Sequence, residues 1–264
     1  MAKLEDIGKK EADRLHEIVE NKEADANKHD GVVLAGRITM GYGDLNDLLF
    51  GGIPKNYSVI LTSPSCDEKD LLIRRFLESG IREGQVTFFV TTGMHGVKPL
   101  VEHVRAQSNF YLFICNPQVD TMVGSLPNVS KLKGVQNLTD ITIALTNVFR
   151  ILDTSPAGHK ENRRACIEIV SDVLLEHHAV QTRRWLTDLI PELRSKGFTT
   201  LAVMNPQMHS PQEVQAILEL FDGEISIYEK EIKNGPKKFL KIKKMYDQRY
   251  LESELPLRKE RLKS

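Results

Sequence analysis

The sequence is short of the features that mark several whole classes of protein. Only three cysteines occur in 264 residues, Cys66, Cys115 and Cys166. They are odd in number and far apart, which excludes a disulfide framework, gives no metal-ligand spacing and fits a reducing compartment. Acidic and basic side chains number 36 each, so no net field draws the chain to nucleic acid or to a membrane surface. No apolar run reaches the length of a membrane-spanning helix, and the N-terminus is polar and charged from residue 3, without signal-peptide character. These absences point to a cytoplasmic protein. Disorder is excluded too, because hydrophobic residues make up 41% of a chain long enough for one large α/β domain.

One further absence is local. Tyr57-Ser58-Val59-Ile60-Leu61-Thr62 reads as a buried strand, and Leu71, Leu72, Ile73, Phe76 and Leu77 recur at helical spacing. Between them stands Ser63-Pro64-Ser65-Cys66-Asp67-Glu68-Lys69-Asp70. Strand, tight loop and helix form the framework of a phosphate-binding loop, whose glycines let backbone N–H groups wrap the phosphates. Here the loop has no glycine. Against G-x-x-x-x-G-K-[ST], Ser63 takes the first glycine, Glu68 the second and Asp70 the hydroxyl residue; Lys69 alone is kept.

The replacements have a sense of their own. Ser65-x-x-Glu68 ahead of an apolar run is the pattern of a capping box. A helix N-terminus attracts anions, but Asp67, Glu68 and Asp70 already supply that end with negative charge. A carboxylate about 4 Å from a phosphate oxygen costs roughly 4 kcal/mol at an effective dielectric near 20. Lys69 offsets part of this. The loop reads as a degenerate scaffold that has closed itself. The rival reading has Asp70 hold Mg²⁺ directly while Lys69 still grips a phosphate.

Taken in order, residues 1–30 form a charged arm and linker, with a sparse apolar set (Leu4, Ile7, Leu15, Ile18, Val19) fit for an amphipathic helix. The domain proper runs over 31–250, and 251–264 reads as a charged tail. Strands are expected at 86–91, 110–115, 164–170 and 199–204, and helices at 97–107, 138–152, 180–195 and 211–220. Thr139 or Asp140 is the expected cap of the 138–152 helix. Residues 116–135 read as an irregular excursion. A hairpin is expected from 224–229 and 239–245 around Asn234-Gly235-Pro236. Such strand–helix alternation predicts a mainly parallel sheet between helical layers.

Gly41-Tyr42-Gly43-Asp44-Leu45-Asn46-Asp47-Leu48-Leu49-Phe50-Gly51-Gly52-Ile53-Pro54 carries a resemblance. It is similar to the opening T-G-x-x-x-L-D-x-L-L-x-G-G-I-P of the KaiC/GvpD branch of the RecA superfamily. The match lies in Leu45, Leu48, Leu49 and the Gly51-Gly52-Ile53-Pro54 turn, and the distance from that turn to Lys69 also fits; it extends over roughly residues 36–250. The resemblance implies a RecA-like three-layer α/β sandwich that binds ATP with Mg²⁺.

It also implies where catalytic groups belong. Such ATPases place a carboxylate after the second core strand, where this chain has Thr91-Thr92-Gly93-Met94 and no base. The acid that orients Mg²⁺ belongs at the end of the 164–170 strand, and Glu168 and Asp172 compete for that place. If a nucleotide is still bound, Ser63, Lys69, Asp70 and Glu168 are the expected contacts. Otherwise no cofactor is expected.

His177-His178 and His95 lack further ligands at metal spacing. Cys66 reads as a packed thiol rather than a reactive one. The C-terminal lysines, among them Lys238, Lys241 and Lys243, read as a solvated edge that guards the sheet, so nucleic acid is not expected as a partner. The family's neighbour-contacting Lys-Met/Leu-Arg segment is matched by Lys244-Met245, but Tyr246 replaces its arginine. The reading is a regulatory, non-hydrolysing module that binds a protein partner and is a monomer or a small homo-oligomer. An altered ATPase and a nucleic-acid-binding RecA paralogue are the alternatives.

Overall fold

A computed structural model of the chain describes residues 34–93, 100, 108–118, 126–154, 162–232 and 235–263. The expected arm and linker over 1–30, the 97–107 helix apart from Leu100, Met94, His95 and the tip of the hairpin at Asn234 lie outside the described residues. Chain contacts divide the molecule into units Met1–Leu34 and Ala35–Ser264, and the second carries everything below.

Two short strands, β1 (Arg37–Ile38) and β2 (Ile53–Pro54), pair antiparallel around the first helix, α1 (Gly43–Leu48). Gly52 makes that pairing possible. Its φ is +128°, and a Cβ there would lie 2.1 Å from the Ile38 carbonyl oxygen. Strand β3 (Ser58–Thr62) leads into α2 (Asp67–Arg82), followed by β4 (Val86–Thr91), β5 (Phe110–Cys115) and β6 (Val129–Leu132). Then come α3 (Leu138–Thr154), β7 (Arg163–Ile167), α4 (Val170–Ser195), β8 (Phe198–Met204) and α5 (Pro211–Leu218). The long hairpin β9 (Gly223–Ile232) and β10 (Gly235–Met245), a short β11 (Leu255–Pro256) and α6 (Lys259–Lys263) close the chain.

The described strands form a nine-stranded sheet in the order β11-β10-β9-β3-β8-β7-β4-β5-β6. Every pair from β9 to β6 is parallel; β10 adds to β9, and β11 to β10, antiparallel. The chain therefore runs outward from β3 to β4, β5 and β6, then returns through β7 and β8 to fill the gap. Parallel strands covered on both faces carry apolar residues at successive positions. Val59 and Leu61 pack towards α2 and α6, whereas Ile60 packs towards α3, α4 and α5. On the second face Phe88 centres an aromatic cluster, 4.5 Å from the Phe198 ring and 5.3 Å from Phe113. The expected RecA-like α/β sandwich is the observed architecture.

Several boundaries differ from expectation. The excursion over 116–135 contains β6. Asn137, not Thr139 or Asp140, caps α3, its Oδ1 accepting from the Thr139 N–H at 3.1 Å. Helix α4 starts ten residues earlier than expected, at Val170, and is broken at His178, whose φ of 55° and ψ of 176° are not helical. His177 is held there by a 2.8 Å contact between its Nε2 and the Val135 carbonyl. The segment read as a charged tail carries β11 and α6, and its Leu257 and Leu262 are buried in the core beside α2. Arg75 fixes that helix by donating from Nε to the Leu262 carbonyl at 2.7 Å.

Candidate functional site

Strands β3, β8, β7 and β4 end side by side, and the loops leaving their carboxyl ends meet at the start of α2. In open α/β sheets this edge is where ligands bind. The loop Ser63–Cys66 spans the gap from β3 to α2, with Cys66 extended in the N-cap position and making no side-chain cap bond. The capping box expected from Ser65 and Glu68 does not form. Glu68 turns inward instead, to 6% exposure, and faces the Lys238 ammonium of β10 at 3.7 Å. A charge partner in a half-dry groove outcompetes a cap in open water. Ser65 is left near Asn205, whose Nδ2 donates to its Oγ at 3.5 Å.

Ser63, in the first-glycine position, is fully buried. Its N–H donates to the Met204 carbonyl at 3.0 Å and its hydroxyl to the Pro64 carbonyl at 2.7 Å. Both donors are consumed within the protein.

Lys69 rises from the first turn of α2 with its side chain only 18% exposed. Its Nζ lies 3.0 Å from Asp70 Oδ1 and 3.5 Å from Glu168 Oε1. Burial works against the ammonium, but the Glu168 and Asp70 carboxylates outweigh it and raise the Lys69 pKa above the ordinary lysine value. Glu168 follows β7 directly, its N–H bonded to the Val90 carbonyl at 2.9 Å. Its second oxygen accepts from Thr91 Oγ1 at 2.7 Å, and that hydroxyl in turn accepts from the Gly93 N–H at 2.9 Å.

Asp172, the rival to Glu168, sits in the first turn of α4 and accepts from Thr92 Oγ1 at 2.7 Å. Of the expected residues, the fold thus brings Lys69, Asp70 and Glu168 together. Ser63 turns its polar atoms inward and Asp172 is engaged elsewhere. Threonines 91 and 92 were overlooked as partners of these two acids, although their place after a core strand was visible in the sequence.

A cavity of about 500 Å³ opens beside this cluster, with Ser65, Lys69, Asp70 and Glu168 at its polar end and Leu71, Leu77 and Phe89 along its wall. Three acids (Asp67, Asp70, Glu168) face three bases (Lys69, Arg74, Lys259) in its lining. Lys259 of α6 pairs with Asp67. The negative charges of the α2 start are therefore matched one by one, Asp67 by Lys259, Glu68 by Lys238 and Asp70 by Lys69. Sequence reading counted only Lys69 against them, because the other two lysines arrive from far along the chain.

A phosphate would have to displace two carboxylates from Lys69, and the loop offers no glycine backbone to wrap it. Among the described residues no group of three His, Cys, Asp or Glu side chains converges to hold a metal.

The KaiC ATPase family model matches residues 38–258. The chain belongs to the KaiC family. Among solved structures it is similar to a KaiC-like protein from the hyperthermophilic archaeon Pyrococcus horikoshii OT3, with a TM-score of 0.62 and 19% identity over 84% of this chain and 94% of that one. At that identity the likeness shows the fold and nothing finer. Curated proteins give no match. No helix among the described residues of this KaiC-family chain is long and apolar enough to cross a membrane.

Proposed function

We propose that this KaiC-family protein is a cytoplasmic, non-hydrolysing regulatory module that acts by binding a protein partner. The observation that carries the reading is the Lys69 ammonium held between Asp70 and Glu168. The chain's own carboxylates take the place that phosphate oxygens take in a working loop. The missing base after β4 is an independent defect, since Thr91-Thr92-Gly93 offers only hydroxyls and backbone there. Charge supports a protein partner over nucleic acid. Lys230, Lys238 and Lys243 of the C-terminal hairpin pair with Glu254, Glu68 and Glu224, which withdraws three of its lysine charges from phosphates.

One observation favours retained nucleotide binding: Glu168 stands beside Lys69 at the carboxyl end of β7, where the family's magnesium-orienting acid belongs. Calorimetric titration of the purified chain with Mg-ATP and Mg-ADP, paired with a phosphate-release assay, separates the readings. The proposal expects neither heat of binding at the Lys69 cavity nor release. Phosphate release that disappears in Lys69→Ala overturns it.

A further inference from the structure

A second cavity, of about 410 Å³, is lined by Gly41, Tyr42, Gly43, Asp44, Arg75, Arg82 and Arg261. None of these lines the Lys69 cavity. Three guanidiniums face one carboxylate, which leaves the cavity with a net charge of +2. Arg75 and Arg82 stand two turns apart on α2 and so share one face of the helix. Arg75 is braced by the Leu262 carbonyl through Nε, which leaves its terminal nitrogens for another acceptor. Arg82 has no hydrogen-bond or ion-pair partner among the described residues.

The floor is built to fit. Gly41 has a φ of +72°, and a Cβ there would lie 2.3 Å from the Arg75 carbonyl oxygen, so only glycine lets this segment close on α2. At Gly43, by contrast, a Cβ would meet nothing within 4 Å. The one acid, Asp44, is occupied: its Oδ2 accepts from the Tyr42 hydroxyl at 2.9 Å and from Arg261 Nη1 at 3.3 Å.

We propose that this arginine cavity binds a diphosphate group, free or carried on an ester. Planar forks of N–H donors match phosphate oxygens two at a time, and a +2 lining complements a multiply charged anion. Small-molecule pockets start at about 300 Å³, so this one has room for more than a single phosphate. Its lining lacks the apolar wall that would recognise a hydrophobic body. The proposal is independent of how the Lys69 cavity is read.

The test is calorimetric titration of the full chain at low ionic strength with inorganic pyrophosphate and, separately, with ADP. Pyrophosphate binding is expected, weakened about tenfold by Arg82→Ala, abolished by Arg82→Glu and unchanged by Lys69→Ala. Unfolding midpoints of the Arg82 variants are expected to stay close to that of the parent, because Arg82 makes no hydrogen bond or ion pair among the described residues and favours only the helix end. Equal affinity for the two ligands identifies free diphosphate as the ligand, and ADP binding about tenfold tighter identifies an ester; either upholds the proposal. Absence of pyrophosphate binding overturns it, as does binding that ignores Arg82→Glu or is lost in Lys69→Ala.

Discussion

Lys69 on α2 and Glu168 at the end of β7 are 99 positions apart in sequence and 3.5 Å apart in space, with Thr91 of β4 donating to the far oxygen of the same carboxylate. Glu168 thus ties the start of α2 to the ends of two adjacent strands, β7 and β4, through one side chain. It makes a structural link of what the family's motif marks as a ligand contact.

Removing the ammonium should therefore cost stability rather than activity. Lys69→Ala is expected to destabilise by about 1–3 kcal/mol, less than a fully buried pair because both side chains keep some solvent. Urea unfolding measures it. The pH dependence has a definite sign. The Lys69 pKa is raised on folding, so its contribution is fully present below the ordinary lysine pKa and is lost as pH rises through the folded value. The parent should lose more stability than Lys69→Ala across that alkaline window. Parallel stability curves for the two proteins would show the pair to be inert.

Arg164 is the largest fully buried side chain among the described residues. Its Nη1 donates to the Phe76 carbonyl at 2.6 Å and its Nε to Gln85 Oε1 at 2.7 Å, and its charge faces Glu83 at 3.4 Å. Burial pulls its pKa down to about 10 against the opposing pull of Glu83. Arg164→Leu strands two buried acceptors and should cost about 3 kcal/mol, read from the shift in denaturant midpoint. A loss within about 0.5 kcal/mol, typical of exposed positions, would contradict this account.

The helix caps give a paired prediction. At Ser210 and Glu213 a reciprocal capping box does form, with the Glu213 N–H donating to Ser210 Oγ at 3.3 Å and the Ser210 N–H to Glu213 Oε2 at 3.2 Å. Ser210→Ala should cost about 1 kcal/mol and Ser65→Ala almost nothing. The bonds from Ser210 hold the Glu213 pKa below the usual carboxylate value. Its share of the cap is present above the ordinary glutamate pKa and is lost as pH falls through the folded value. Denaturant titrations of both variants at neutral and acid pH test the pair.

That contrast shows what the sequence could and could not disclose. Alternating strand and helix signals, together with the Gly51-Gly52-Ile53-Pro54 turn, located α2 and the parallel strands other than the half-exposed β6 to within a few residues, because buried strands and amphipathic helices are set by local pattern. Ser65-x-x-Glu68 has the same local pattern as Ser210-x-x-Glu213, yet only the second is a cap. The difference is Lys238, which reaches Glu68 from β10 across 170 positions of chain. Lys259, Arg261 and Leu262 were hidden for the same reason: a short charged stretch looks like a tail until α2 is seen to receive it. Glu168 and Asp172 could not be separated in sequence, since one strand end moved by three residues exchanges them.

The last prediction concerns assembly. In the family the nucleotide lies between neighbouring domains, and a Lys-Met/Leu-Arg segment reaches across to it. Here Lys244-Met245 ends in Tyr246, whose side chain is 68% exposed. Its backbone is fixed, with the carbonyl accepting from the Tyr57 hydroxyl at 2.9 Å and the N–H donating to the Asp222 carbonyl at 2.8 Å. The segment is thus held in place but lacks the cation that would engage a phosphate. On the other side of such an interface, Lys69 is already neutralised by Asp70 and Glu168. Mg-ATP should therefore leave the mass of the particle unchanged, as measured by light scattering. Tyr246→Arg alone should not restore nucleotide-driven assembly, because the Lys69 end remains closed. A ring that forms only with Mg-ATP, in the parent or in Tyr246→Arg, would show that phosphate displaces Glu168 from Lys69 and that the ion pair is a latch rather than a permanent substitute.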